Sequence, residues 1–342
     1  MINERGGAGD HDMMSAGMNE RQLRDGRAIA RQTQCAPAVL MVRPAHFGFN
    51  RQTAHSNRFQ LDTRTADSST TRALPEFAAL HGALQDCGVR TCVIEDTREP
   101  VKPDAVFPNN WVSFHEDGTV VLYPMQAENR RRERRMDVLE AVERELGFHR
   151  RRLLDLSREE VKGRYLEGTG SLVLDHVQRV AYACRSARTD ESLVREWASA
   201  MGYEAEVFDA TGSDGTPLYH TNVMLAIGSR QAVLCSEAVQ TSDRRRVRAR
   251  LQASGRQLVE ISMRAMYAFA GNVLELRAHT GASATQSVLV MSSSARAALD
   301  EQQWVQLSTA VDRVLEASIP TIQSVGGGGV RCMLAEVPES LP

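Results

Sequence analysis

Close to its C-terminus the chain reads Gly326-Gly327-Gly328-Gly329-Val330-Arg331-Cys332-Met333. Consecutive glycines allow backbone angles and close approaches that no residue with a side chain permits, so the run reads as backbone wrapped tightly around a small ligand. It delivers a single cysteine. The thiolate is the reactive form of that side chain, and the positive charge of Arg331 is expected to favour it, which makes Cys332 the candidate nucleophile on a loop. Further polar, turn-forming stretches stand beside short apolar runs elsewhere: Phe49-Asn50, Asp104 to Asn110, Glu167 to Gly170, His220 to Asn222 and Gly271-Asn272. Loops of this kind pointing at one centre would assemble one site.

The elements that would position them follow from hydrophobic periodicity. From Ala38 onward short apolar runs alternate with amphipathic stretches whose apolar residues recur at three and four. Strands are expected to begin at Val39, Val112, Val120, Ser171, Val223, Gln231, Val273 and Ser287. Helices are expected over Arg72 to Cys87, Arg131 to Leu146, Ser192 to Met201, Ser242 to Ala253 and Glu301 to Ser318. The pieces group into five similar units, each a strand pair, a helix and a returning strand, at a period of roughly 60 residues. Such units have to close on one another to bury their edges. Residues 1–35 lack a sustained apolar period and are expected to form a disordered or loosely packed leader, leaving 36–342 as a single catalytic α/β domain.

Composition narrows the partners. A net charge of -2 with 25% charged residues leaves no electrostatic footprint for nucleic acid or an anionic membrane. The basic run Arg130 to Arg135 is interleaved with acidic residues and reads as a solvated helix start. No apolar stretch reaches membrane-spanning length and the N-terminus lacks a signal-peptide profile, so a cytoplasmic protein with a small-molecule substrate is expected. The six cysteines are scattered singly, without metal-ligand spacing, which predicts reduced thiols, no metal and no cofactor. The sequence leaves homo-oligomer formation open.

Taken together, Asp104-Ala-Val-Phe107-Pro-Asn-Asn110-Trp111, Leu166-Glu167-Gly168-Thr-Gly170, Tyr219-His220-Thr-Asn222, Gly271-Asn272 and Gly-Val-Arg331-Cys332-Met resemble the guanidine-modifying amidinotransferase, or pentein, superfamily. Arg43-Pro44, Phe49-Asn50-Arg-Gln-Thr53 and Phe107-Pro-Asn-Asn110-Trp111 resemble its citrulline-utilisation hydrolases more than its arginine deiminases or dimethylarginine hydrolases. The resemblance implies a five-bladed pseudo-symmetric α/β propeller with a central active-site channel and no cofactor. It also implies a mechanism: Cys332 attacks the ureido or guanidino carbon, His220 moves the protons, and Glu167 orients His220 or the substrate nitrogens.

The substrate-binding residues implied are Asp104, Asn110, Asn222, Arg188, Arg130, Asn50 and Phe107. Where guanidine hydrolases place a second aspartate, this chain has Asn110, and Asn222 likewise stands for an aspartate. A guanidinium carries only donors, whereas a neutral ureido group presents a carbonyl acceptor to which an amide can donate. A carboxylate at 110 would have no cation to meet. These departures favour an amino-acid substrate of the citrulline type, with Arg188 and Arg130 on its carboxylate. Arginine or methylarginine hydrolysis, amidino transfer, and a catalytically silent binding protein on the same scaffold are the competing readings.

Overall fold

Among the described residues, short apolar runs closed by turn residues produce fifteen strands, and their pairing sorts them into five three-stranded sheets. The computed structural model describes residues 33–62, 66–279, 281 and 284–340. The first sheet contains β1 (Ala38–Arg43) and β2 (Arg90–Glu95). The second is β3 (Val112–Phe114), β4 (Thr119–Leu122) and β5 (Arg152–Asp155); the third is β6 (Val173–Asp175), β7 (Val180–Cys184) and β8 (Glu204–Phe208). The fourth is β9 (Leu225–Ile227), β10 (Gln231–Leu234) and β11 (Gln257–Glu260), and the fifth is β12 (Leu274–His279), β13 (Thr285–Ser292) and β14 (Arg313–Ala317). β15 (Ala335–Val337) then returns to the first sheet beside β1.

All five sheets share one pattern: a first strand runs antiparallel to a central strand, which runs parallel to a third. A tight turn suffices for the antiparallel pair, but a parallel neighbour requires a crossover, and helices provide it. Ala66–Asp86 joins β1 to β2, Met136–Leu146 joins β4 to β5, Glu191–Met201 joins β7 to β8, and Thr241–Ala253 joins β10 to β11. Gly147 and Gly202, at φ of 68° and 69°, end two of these helices in the left-handed conformation that glycine tolerates best. The first sheet takes its first strand from the far end of the chain, with Ala38 opposite Val337 and Leu40 opposite Ala335. First strands are also neighbours between sheets: β15 packs beside β3, β6 beside β9, and β9 beside β12. Apolar side chains between sheets and helices form the core, in which Trp111, Trp197, Tyr123 and Phe77 are fully buried.

Two expected helices are shorter than the periodicity suggested. Glu301–Ser308 ends well before Ser318, and Arg313–Ala317 is the strand β14, paired in parallel with β13. The stretch from Arg131 is also broken, because Arg135 adopts an extended backbone before Met136–Leu146 begins. The expected leader, 1–35, lies outside the described residues except for Thr33 to Cys35. Gln34 is buried there, its Nε2 donating to the carbonyls of Leu174 in β6 (2.9 Å) and Ile227 at the end of β9 (3.2 Å). From Thr33 on the chain forms one compact unit. Among the described residues no helix is long and apolar enough to cross a membrane.

Candidate active site

The turns that lead into the first strand of each sheet carry the polar residues. They are Pro108–Asn110 before β3, Gly168–Ser171 before β6, Thr221–Val223 before β9, residues 269–272 before β12, and Val330–Met333 before β15. The turn at 168–171 packs against those at 108–110 and 221–223, and 108–110 packs against 330–333. Sequence dictates these approaches. Pro108 opens its turn where a missing N–H leaves nothing unsatisfied. Gly168, at φ 48°, has no room for a side chain, since a Cβ would lie 2.3 Å from the Asn109 carbonyl oxygen. At Gly170 a Cβ would lie 2.6 Å from both the Asn110 amide nitrogen and His220 Nδ1, so those two groups converge on one spot.

Between these turns lies a small, tightly closed-in cavity lined by Asp104, Phe107, Asn110, Arg130, Arg188, His220 and Cys332, with Asn57, Tyr219 and the backbone of Gly326 to Gly328. One short contact braces its polar wall. His220 Nε2 lies 2.9 Å from Glu167 Oε2, and both side chains are buried. An ionised carboxylate only accepts, so Nε2 carries the proton and Nδ1 keeps the free lone pair. Burial pushes the His220 pKa down to about 4 against the opposing pull of Glu167, so the imidazole is neutral near pH 7. Burial alone would raise the Glu167 carboxyl, but the Arg188 guanidinium, His220 and Arg130 outweigh it and hold the group well below the usual carboxylate range.

Cys332 is buried and belongs to the apolar cluster with Val330, Met333 and Phe107, not to an exposed loop as expected. Burial raises its thiol, and the side chains of Asn272 and Arg331 oppose this only in part. Arg331 favours the thiolate, as expected, but burial outweighs it. Its guanidinium is directed onto the Leu334 carbonyl (2.9 Å) and Glu336 (2.8 Å). Two amides flank the sulfur instead: Nδ2 of Asn272 at 3.4 Å and Nδ2 of Asn222 at 3.7 Å. Asn222 also donates to the Thr169 carbonyl at 3.1 Å, which aims it at the sulfur rather than at the cavity wall.

The two arginines are engaged internally. Arg188 donates from Nε to Ser56 (3.0 Å), from NH2 to the Thr53 carbonyl (3.0 Å) and from NH1 to Glu167 (3.4 Å). Arg130 grips Glu133 through Nε and NH2, both at 2.9 Å, and its NH1 donates to Asn110 Oδ1 at 2.8 Å. Desolvation works against the Arg130 charge, but Glu133 and Asp104 outweigh it and keep the guanidinium protonated. The absence of a cation at position 110, expected from sequence, is thus contradicted: Arg130 is already there. Asn50 does not line the cavity; its Nδ2 donates to Asp104 Oδ2 at 2.8 Å and braces that carboxylate. Asp104 Oδ1 is buried with no hydrogen-bond partner. Burial raises the Asp104 pKa, with Arg130 and Asn50 opposing.

Sequence reasoning quoted Asn272 and Tyr219 within motifs but gave them no role, and it overlooked Glu133 and Asn57. Glu133 stands in a charge-rich run that reads as solvent-facing, although it is buried. Asn57 and Tyr219 reach the glycine backbone, Nδ2 of Asn57 donating to the Gly327 carbonyl at 3.1 Å and the Tyr219 hydroxyl to the same oxygen at 2.6 Å. Among the described residues no group of three or more His, Cys, Asp or Glu side chains is placed to hold a metal ion.

Comparison with known proteins places this arrangement. The model of the family described as N,N dimethylarginine dimethylhydrolase, eukaryotic, matches residues 43–339. The chain belongs to this family. It is therefore a member of the guanidino-modifying pentein superfamily and a hydrolase acting on non-peptide C–N bonds. The mixed α/β fold is that of the N-terminal domain of ArgZ, an arginine dihydrolase from cyanobacteria, at a TM-score of 0.67 and 17% identity, covering 89% of this chain and 99% of that domain. Of full-length ArgZ the match covers 41%. A dimethylarginine dimethylaminohydrolase captured as an adduct with S-methyl-L-thiocitrulline superposes with a TM-score of 0.60 and 17% identity, over 88% of this chain and 99% of that one. No curated protein sequence matches the chain.

Proposed function

We propose that the five sheets are the blades of a closed α/β propeller whose channel holds a cofactor-independent, cysteine-dependent hydrolase site, and that its substrate is citrulline. The observation that carries the substrate reading is the Asn110 amide. Arg130 NH1 occupies Oδ1 at 2.8 Å, so the donor end, Nδ2, is the one turned toward Gly170 and His220. A donor there suits the ureido oxygen and opposes the N–H groups of a guanidinium.

In this reading the resting state holds a neutral thiol and a neutral imidazole. With substrate bound, His220 Nδ1 takes the Cys332 proton as the sulfur attacks the ureido carbon, and returns it to the departing amine as the C–N bond breaks. Water then attacks the S-linked carbonyl carbon, His220 takes its proton, the C–S bond breaks, and the sulfur is reprotonated. The released carbamate falls apart, so the net products are ornithine, ammonia and carbon dioxide. Glu167 holds the imidazole and stabilises it when it is briefly charged. The donors on Cys332, Asn222 and Asn272, suit a sulfur that carries negative charge during attack.

A second reading has its own observation. The unpartnered Oδ1 of Asp104 faces a cavity lined by no other free carboxylate, and a cationic guanidinium would satisfy it. Product analysis after parallel incubation with citrulline and arginine separates the two. Ornithine formed from citrulline faster than from arginine supports the proposal, and arginine consumption without citrulline turnover refutes it.

A further inference from the structure

Glu133 lies outside the cavity wall, is buried, and touches no residue that would contact substrate except through Arg130. Its two oxygens take Arg130 Nε and NH2 at 2.9 Å each, a side-on fork that leaves NH1 as the one guanidinium nitrogen not bound to it. That nitrogen meets Asn110 Oδ1 at 2.8 Å. The remaining acidic neighbours of Arg130 are more distant, Asp104 at 3.7 Å and Glu167 at 3.8 Å.

Amide rotation at Asn110 would exchange a donor for an acceptor at both ends. With the NH2 end toward Arg130, donors would oppose each other in a water-poor site, and the carbonyl would project toward Gly170 and His220. Such a carbonyl accepts from a guanidinium and is repelled by a ureido oxygen. Arg130 on Oδ1, together with Asn109 Oδ1, which accepts from Asn110 Nδ2 at 3.0 Å, fixes which end of Asn110 the substrate meets.

We propose that Glu133 is a positioning residue which, by clamping Arg130 against the Asn110 carbonyl, presents the amide nitrogen to the reacting group and sets the preference for a neutral ureido over a cationic guanidino substrate. The inference rests on the citrulline reading for its sense, but the coupling of Glu133 to Asn110 does not depend on which substrate the wild type prefers.

The test is a double-mutant cycle with Glu133→Gln and Asn110→Ala, read as the ratio of affinities for citrulline and arginine in the Cys332→Ala background by calorimetry, together with Tm. Glutamine keeps the size of the side chain but faces Arg130 with one acceptor and one donor. Glu133→Gln should move the affinity ratio toward arginine by about tenfold, mid-range for residues in one hydrogen-bond network, and the shift should vanish in the Asn110→Ala background. A loss of Tm is expected in both backgrounds. Should Glu133→Gln prove too unstable to assay, Glu133→Asp keeps the charge, shortens the fork, and should give a smaller shift that again requires Asn110. A reversed wild-type preference overturns the ureido reading and the sense of the shift. An unmoved ratio, or one that moves equally without Asn110, overturns the positioning role.

Discussion

At the scale of single residues the site combines a buried thiol with a buried imidazole, and each is held in its neutral form by the same cause. Desolvation raises Cys332 and lowers His220, while the Glu167 carboxylate is kept ionised by Arg188, His220 and Arg130. On the proposed mechanism the thiol ionises only as substrate arrives, when His220 receives its proton. The consequence is measurable in the free enzyme. Iodoacetamide labelling of Cys332, followed by peptide mass spectrometry, should be slower than that of an ordinary thiol at pH 7 and should climb with pH through 9 without levelling. A labelling rate already at plateau near pH 7 would mean a resting thiolate and a different first step.

At the scale of elements, function depends on turns that approach closer than side chains allow. Gly170 is the sharpest case, because a methyl group there would displace both Asn110 Nδ2 and His220 Nδ1, each 2.6 Å away. Gly170→Ala should lower kcat on the order of 10²-fold by misplacing the base, with a Tm loss of only a few degrees. Wild-type kcat in that variant would show that neither group needs its present position. The same elements show how far sequence can be read. β1, β3 and β10 are legible because these buried central and first strands are short and mostly apolar. The returning third strand of each sheet was expected but not located: β5 reads Arg-Leu-Leu-Asp and is mostly exposed, and β11 reads Gln-Leu-Val-Glu. Edge strands covered on one side only tolerate charge, so nothing in their sequence separates them from loops or, for β14, from the end of a helix. At the site the motifs named Cys332, His220 and Glu167, which line or support one cavity, but a hydrogen-bond network is not encoded in spacing. The engagement of Arg331 by Leu334 and Glu336, the bracing role of Asn50 and the burial of Glu133 all required the packed structure.

At the scale of the whole molecule the two ends of the described chain meet in one sheet, so β1, which β2 pairs on one side, is paired on both sides only when β15 is in place. The turn bearing Cys332 runs directly into β15, so the pairing of β15 with β1 also anchors that turn. His115 and His220 are buried and His176 is half-buried. Desolvation lowers each of them to about 4, from an unfolded value of 6.5. Their neutral forms are favoured by folding, so the contribution is fully present above pH 6.5 and is lost as pH falls toward 4, where the unfolded chain binds more protons. At pH 5 each is worth at most about 2 kcal/mol. Urea unfolding should therefore give a lower stability at pH 5 than at pH 7.5, and His176→Gln should reduce the difference. Equal stability at the two values would contradict the buried neutral state.

The central claim, that the Cys332 sulfur attacks a ureido carbon and that His220 then activates water, is tested most directly by trapping the intermediate. His220→Ala and the wild type are mixed with citrulline labelled at the ureido carbon, quenched, digested and analysed by mass spectrometry. The account predicts labelled carbon bonded to the peptide that contains Cys332, transient in the wild type and, wherever attack survives in the variant, persistent there because hydrolysis lacks its base; Cys332→Ala should carry none. Label released as carbon dioxide by Cys332→Ala at the wild-type rate, or turnover in His220→Ala at full speed, would contradict it.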